Sequence, residues 1–358
     1  MNKSEPAHAS ASASASDAIF DRIERADLNE LHFRHDEASG LRAIIAIHNT
    51  RLGPALGGCR FIAYQSDDDA IDDVIRLARG MSYKAAIANV PQGGGKAVIL
   101  KPMQAFDRQE LFQAFGSFIH DLGGRYITAV DSGSLITDMD EVARNTPYVS
   151  GTSKDGLDPS PVTALGVYAG IVAAVKHQLQ RDSVNGLRIA IQGVGNVGYA
   201  LAALLHRDGA RLIVSDADAR RVQRCIDEFA ADTVAVDEIY DVDCDLFAPC
   251  GLGGVINADT IPRLRCNIVA GAANNQLSDD VQGEVLHNKG ILYAPDYVIN
   301  AGGLIQVSLG YLKKPASEIN QRTLALGSTL SDLFARSHAD NSPPEQIANR
   351  VAEALLFD

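Results

Sequence analysis

The stretch Leu187 to Gly198 reads LRIAIQGVGNVG. Its apolar first half, with β-branched Ile189 and Ile191, predicts a strand over Leu187–Gln192 that runs directly into three glycines at GxGxxG spacing. Gly193 permits a tight turn, Gly195 lets backbone approach a pyrophosphate, and Gly198 lets the following helix pack close to the strand. Val194, Asn196 and Val197 complete the turn, and the helix N-terminus beyond it offers free N–H groups and positive potential to phosphates. A second predicted strand, Arg211–Ser215, ends at Asp216, 18 residues beyond Gly198. An acid there accepts hydrogen bonds from ribose hydroxyls and repels a 2′-phosphate, so NAD is expected over NADP. Arg220 and Arg221 lie close enough to soften that preference.

Outward from this motif the pattern alternates. Further strands are predicted at Asp245–Ala248, Asn267–Ala270 and Ile291–Tyr293, with helices between most of them. Such alternation predicts an α/β domain with a doubly wound parallel sheet. Upstream, Asp158-Pro159-Ser160-Pro161 reads as a connector, with Pro161 opening a long helix through Gln178. The first half mixes strands at Leu41–His48, Ala97–Leu100 and Arg125–Val130 with a helix near Arg108–Asp121. A further helix starts at Ser66, whose side chain can cap a first turn carrying Asp67, Asp68 and Asp69. Its apolar stripe runs through Ile71, Val74, Ile75, Ala78, Met81 and Ala85. The expected organisation is a disordered tail at 1–17, a substrate-binding and assembly domain at 18–150, a Rossmann-type domain at 151–330, and a C-terminal helix at 331–358 folding back on the first domain. The active-site cleft is expected between the two domains.

Composition bounds what such a chain can do. With 358 residues it is long enough for two cores. A net charge of −13 excludes nucleic acid as the main partner, because phosphate binding needs a basic surface. No apolar run is long enough to predict a membrane span, and the Ala/Ser-rich start has no export-signal core. Five cysteines without a CxxC pair fit reduced thiols in a cytoplasmic protein. No cluster has metal-ligand spacing, so no metal is expected.

Three polar residues stand out in apolar surroundings. Lys84 falls at the edge of the apolar stripe beside Met81 and Ala85, and Lys96 follows Gly93-Gly94-Gly95. Two neighbouring lysines can divide the work: one binds a carboxylate, while the other, desolvated and facing a like charge, loses its proton near neutrality and serves as a base. Snorkelling lysines on a helix edge and in a loop are the alternative. Asp131 ends the strand at Arg125–Val130, where a carboxylate can face a crevice or cap the next segment.

Eight ordered segments resemble the leucine/phenylalanine/valine dehydrogenase family, within the glutamate dehydrogenase superfamily. They are LGPALGG at 52–58, GMSYK at 80–84, GGGK at 93–96, PSPVT at 159–163, QGVGNVG at 192–198, APC at 248–250, GAANNQL at 271–277 and APDYVINAGG at 294–303. The resemblance implies NAD-dependent, reversible oxidative deamination of an apolar or aromatic L-amino acid to its 2-oxo acid and ammonium, in a homo-oligomer (dimer or octamer). It implies that Lys84 binds the substrate carboxylate, Lys96 activates the attacking water and Asp131 exchanges protons with the amino group. Gly57 and Gly58 would line the substrate, Thr163 and Asn274 would orient nicotinamide and substrate, and Asn300 to Gly303 would close the cleft floor, Asn300 facing the cofactor. Ala248, Pro249 and Cys250 would face the cofactor. Leu56, Ala129, Leu304 and Val307 would line the side-chain pocket. Two rival readings are an enzyme of the same build acting on another substrate and a non-catalytic NAD-binding regulator that retained the fold. The chain departs from many relatives around Asp131, where Val130 precedes it and Ser132-Gly133 follow.

Overall fold

The computed structural model describes residues 18–156 and 158–358. The expected disordered tail lies outside the described residues. In chain order the helices are α1 (Ile19–Arg25), α2 (Asp67–Ile87), α3 (Arg108–Asp121), α4 (Ile136–Val142), α5 (Pro159–Leu179), α6 (Asn196–Arg207) and α7 (Ala219–Phe229). They continue with α8 (Val281–Asn288), α9 (Asp296–Ile299), α10 (Gly302–Tyr311), α11 (Ala316–Leu324), α12 (Leu326–Asp340) and α13 (Pro344–Phe357).

The first sheet holds β1 (Glu30–Asp36), β2 (Leu41–Asn49), β3 (Ala55–Ile62), β4 (Gly93–Leu100) and β5 (Tyr126–Val130), in the order β1-β2-β4-β3-β5. The β1–β2 and β2–β4 pairings are antiparallel, whereas β3 runs parallel to both β4 and β5. Strand β2 is buried on both faces from Ala43 onward, which explains its unbroken apolar run. Two strands here are unexpected from the sequence. Strand β3 carries Gly57 and Gly58, and β1 is a polar edge strand, so neither shows strand-like periodicity. Strand β4 also starts four residues earlier than expected, because Gly93–Gly95 belong to the strand and not to a loop.

The second sheet is wholly parallel, with β6 (Arg188–Gln192), β7 (Arg211–Ser215), β8 (Asp232–Thr233), β9 (Leu246–Pro249), β10 (Ile268–Val269) and β11 (Leu292–Tyr293). Its order β11-β10-β9-β6-β7-β8 is the Rossmann order, with the topological switch between β6 and β9. The connector helix α5 begins at Pro159, two residues before the expected Pro161, because Asp158 caps it by accepting from the Ser160 amide at 2.9 Å. It is long and apolar enough to cross a membrane, but it packs against α6, α10, α11 and α12 as a core helix.

The chain passes between the two sheets twice. The first crossing is the segment before α5. The second is made by α10 to α13. Helix α13 leaves the nucleotide half and lies on α2, where Tyr83 donates to Glu353 at 2.8 Å and Asn49 Nδ2 donates to the Leu356 carbonyl at 3.3 Å. One apolar cluster consequently runs from Tyr83, Ala86 and Ile87 through α5 and the β6 strand to Ile347, Ala352 and Leu356.

Candidate active site

The site is built from the sheet upward. Register places Gly58 of β3 beside Ala129 of β5 and Cys59 beside Ala97 of β4, so Lys96 and Asp131 emerge close together from the two strands that flank β3. Strand β3 can sit this close only because it carries glycines. A Cβ on Gly57 would lie 1.8 Å from the Gly95 carbonyl oxygen, and one on Gly58 would lie 2.7 Å from the Asp131 Cβ. Tyr126 fixes the same segment by donating to the Gly57 carbonyl at 2.7 Å.

Lys96 is buried and forms an ion pair with Asp131. Burial pushes the Asp131 carboxyl up, but Lys96, the Ser132 amide and Arg60 outweigh it, and the group ends below its ordinary range. Two of the residues that depart from the family pattern, Ser132 and Gly133, have structural roles. The Ser132 amide supports the carboxylate, and Gly133, at φ +81°, leaves room for the Phe61 carbonyl oxygen, which would be 1.9 Å from any Cβ there. Val130 points outward, 39% exposed. Ser134 holds the turn, its Oγ accepting from the Asp131 amide at 2.9 Å and donating to the Cys59 carbonyl at 2.8 Å.

Lys84 comes from the last turn of α2 and reaches across to the other half, its Nζ donating to Asn274 Oδ1 at 3.4 Å. The residue keeps partial surface exposure, yet enough protein surrounds it that burial pulls the amine down to about 8. The Asp296 carboxylate opposes that shift and Lys96 adds to it. Burial thus loosens the proton on Lys84. Asp296 was missed as a site residue. It is the first residue of α9, its own carboxyl raised by burial and partly restrained by Lys84, and it accepts from the Tyr297 amide at 2.7 Å and the Gln276 amide at 3.2 Å. Its position within APDYVINAGG was the only signal for it. Arg60, 3.8 Å from Asp131 and paired with Asp73 at 2.7 Å, was missed because nothing local separates it from other strand arginines.

On the nucleotide side Asn300 Nδ2 donates to Asn274 Oδ1 at 2.8 Å and to the Ala272 carbonyl at 3.1 Å. Thr163 donates to the Pro159 carbonyl at 2.8 Å and abuts Gly303, which seats the start of α5 against the start of α10. Ala248 and Pro249 pair with Ile191 and Gln192, and the Cys250 amide donates to the Gln192 carbonyl at 2.7 Å. The APC segment therefore lies beside the glycine-rich turn, at the switch point. Gly193 has φ +89° and Gly198 sits where a Cβ would be 2.0 Å from the Gly193 carbonyl oxygen. At Gly195 the space is open; a Cβ there would meet only Arg221 Nη1, at 3.6 Å. Asp216 accepts from the Val194 amide and the Asp218 amide, each at 2.8 Å. Leu56 and Leu304 are buried and share an apolar cluster with the partly buried Val307, while Ala129 is buried on the neighbouring strand. Among the described residues no group of three or more His, Cys, Asp or Glu could hold a metal ion.

Nearly the whole chain has close relatives. Residues 27–148 match the family model described as Glu/Leu/Phe/Val dehydrogenase, dimerisation domain, and residues 157–220 and 215–323 match Glutamate/Leucine/Phenylalanine/Valine dehydrogenase. The chain is 46% identical to a leucine dehydrogenase of Geobacillus stearothermophilus over 94% of its own length and 93% of the relative. It is 42% identical to a valine dehydrogenase of Streptomyces virginiae over 90% and 92%. The crystal structure of L-tryptophan dehydrogenase from Nostoc punctiforme superposes with a TM-score of 0.86 at 40% identity, covering 94% of this chain and 98% of that one. With these matches spanning both sheets and every segment of the cleft, the chain belongs to the Glu/Leu/Phe/Val dehydrogenase family and is an amino-acid dehydrogenase.

Proposed function

We propose that this enzyme catalyses the reversible, NAD-dependent oxidative deamination of an apolar or aromatic L-amino acid to its 2-oxo acid and ammonium. The observation that carries the reading is one cleft holding an ion-paired lysine and aspartate beside a second lysine that reaches across to Asn274.

The residues present fit a dinucleotide. Gly195 gives α6 no side-chain cap, which leaves first-turn N–H groups for a phosphate, the space above Gly195 is open, and each Asp216 oxygen accepts one amide and keeps lone pairs for ribose hydroxyls. Gly193 to Gly198 would hold the pyrophosphate and Asp216 the adenosine ribose, with Ala248, Pro249 and Cys250 lining the same crevice. Thr163, Asn274 and Asn300 would orient the nicotinamide. When bound, NAD supplies a hydride acceptor.

Lys84, charged below pH ~8 by its lowered pKa, binds the substrate carboxylate. Asp131 exchanges a proton with the substrate amino group, and Lys96 orients and activates the water that attacks the imine carbon. The direct pair between them gives that proton a short path. Gly57 and Gly58 line the substrate through backbone. Leu56, Ala129, Leu304 and Val307 form its side-chain pocket, which offers no base for a second carboxylate and so disfavours glutamate. The assembly is a homo-oligomer, a reading supported by the family description of the first domain.

The test is a kcat/KM survey over Leu, Val, Ile, Phe, Tyr, Trp, Met and Glu, following NADH. An apolar or aromatic substrate should lead, and the reverse reaction should require both ammonium and a 2-oxo acid. Preference for glutamate, or reversal without ammonium, would overturn the reading. Lys96→Ala should abolish turnover and still bind NADH.

A further inference from the structure

At the end of the nucleotide sheet farthest from the cleft, the chain enters β9 and β10 side by side. Ile268 pairs with Leu246, and Arg265 bridges to Asp243, both in parallel register. The same offset puts Cys244 directly opposite Cys266, and the Cys244 amide donates to the Arg265 carbonyl at 3.2 Å, tying the two segments at this level. Paired residues of parallel strands project to the same face, about 4.8 Å apart, within the ~4.4–6.8 Å Cα separation that a disulfide spans. The two thiols are within hydrogen-bonding reach, Cys244 donating to Cys266, and all five cysteines are free.

We propose that Cys244 and Cys266 form a reversible dithiol–disulfide couple, a modification site oxidised by a small hydroperoxide. Three features make the pair suited to it. Cys244 is held in the core beside Phe247 and Ile261, only 8% exposed, so its sulfur cannot swing away from its neighbour. Cys266 is only partly buried. Both line an open cavity of about 260 Å³ whose rim carries Arg188, Arg265, Asp243 and Asp245, so a small polar oxidant has a route. The Cys266 sulfur accepts from the Cys244 thiol and from the Phe247 and Ile268 amides, which together outweigh burial and lower its pKa, while the Cys244 thiol is pushed up by donating that bond and by burial. The attacking and resolving roles are therefore already divided.

The Cys266 thiolate attacks the distal oxygen of the hydroperoxide. An S–O bond forms, the O–O bond breaks, and the departing alkoxide takes the thiol's proton, leaving a sulfenic acid and an alcohol. The Cys244 sulfur then attacks the sulfenic sulfur. The S–S bond forms, the S–O bond breaks, and hydroxide leaves with the Cys244 proton as water. Two thiols are oxidised and one peroxide is reduced.

The full chain, treated with slight excess hydrogen peroxide at neutral pH, should lose two of its five thiols. Its mass should fall by two hydrogens, one peptide pair should link positions 244 and 266, and dithiothreitol should restore both thiols. Cys244→Ser should stop at a sulfenic acid on Cys266, trapped by dimedone. Cys266→Ser should slow thiol loss at least about tenfold. Both variants should keep kcat within about twofold, since the pair lies at the opposite end of the sheet from the cleft; this also reports that they fold. Thiol loss at Cys250 first, a disulfide joining two chains, or unchanged reactivity of Cys266→Ser would each overturn the proposal.

Discussion

Gly93–Gly95 in the first sheet and Gly193–Gly198 in the second are both glycine-rich, but their surroundings differ. Around the first run the protein itself occupies the missing side chains. A Cβ on Gly93 would lie 1.9 Å from the Asn49 carbonyl oxygen, and one on Gly94 would lie 2.0 Å from the Ser82 amide nitrogen. The second run is filled at both ends, at Gly193 by Gly251 and at Gly198 by the Gly193 carbonyl, but it is open in the middle, at Gly195. Glycine in the first run lets helix α2 and strand β2 close on β4 and bring Lys84 near Lys96. Glycine at Gly195 leaves room for something that is not protein. A glycine run is therefore read by what occupies its empty side, and sequence does not carry that information.

The largest effect should come from Gly94→Ala. Its new Cβ would meet backbone that has nowhere to go, so a loss of about 4 kcal/mol or more is expected, seen as insoluble or unfolded protein. Adding Ser82→Gly should not rescue it, because the clash is with an amide nitrogen; recovery of stability in that double variant would break the filled-side reading.

Lys84→Met should come next, and in the opposite direction. Burial holds the native amine near 8 against 10.5 unfolded, so the unfolded chain binds the proton more tightly. That costs stability below pH ~8, with the cost fading as pH rises towards 10.5. The variant should be up to about 3 kcal/mol more stable at pH 7, less in proportion to the solvent that still reaches the amine, with the gain gone near pH 10.5. Denaturant titrations at pH 7 and pH 10 would check it, and a loss of stability at pH 7 would refute it. Substrate binding should be lost in the same protein.

Gly195→Ala tests the open side. Its φ of −66° suits alanine, so the melting temperature should move little. NADH affinity should fall about 10- to 100-fold, or about 1.4–2.7 kcal/mol, measured by fluorescence titration. A collapse in stability with affinity intact would show that the two runs do the same job after all. The smallest effect is expected from Asp216→Ser, which should narrow the NAD-over-NADP preference by a few-fold, about 1 kcal/mol. Part of any affinity loss will come from the Val194 amide, which loses its acceptor. An unchanged cofactor ratio would argue that Arg221, 3.8 Å from that carboxylate, already sets the preference.

Local signals made the second sheet legible. Strands β6 and β7, the turn between β6 and α6, and Asp216 are all fixed by residues within one βαβ unit. The first sheet was legible only at β2, β5 and the apolar half of β4. Strand β3 spends two positions on glycine to admit β4 and Asp131, which removes the pattern that would reveal it. The candidate site divides the same way. Lys84, Lys96 and Asp131 stood out because polar groups in apolar surroundings are unusual, whereas the Lys84–Asp296 opposition joins residues far apart in sequence. The pKa of Lys84 follows from that packing and from no local motif.

The two passages of the chain between the sheets have a mechanical meaning. A body tethered at one point can swivel in any direction, but one tethered at two turns about the line through them, as a door does on its hinges. The segment before α5 is one pivot, and α13, pinned to α2 through Glu353 and to β2 through Leu356, is the other. Any opening of the cleft is thereby channelled into a single swing. A carboxylate gripped by Lys84 would meet the glycine-rich turn along the same arc in every cycle, and loosening the latch at Tyr83 should scatter that arc before it alters either surface.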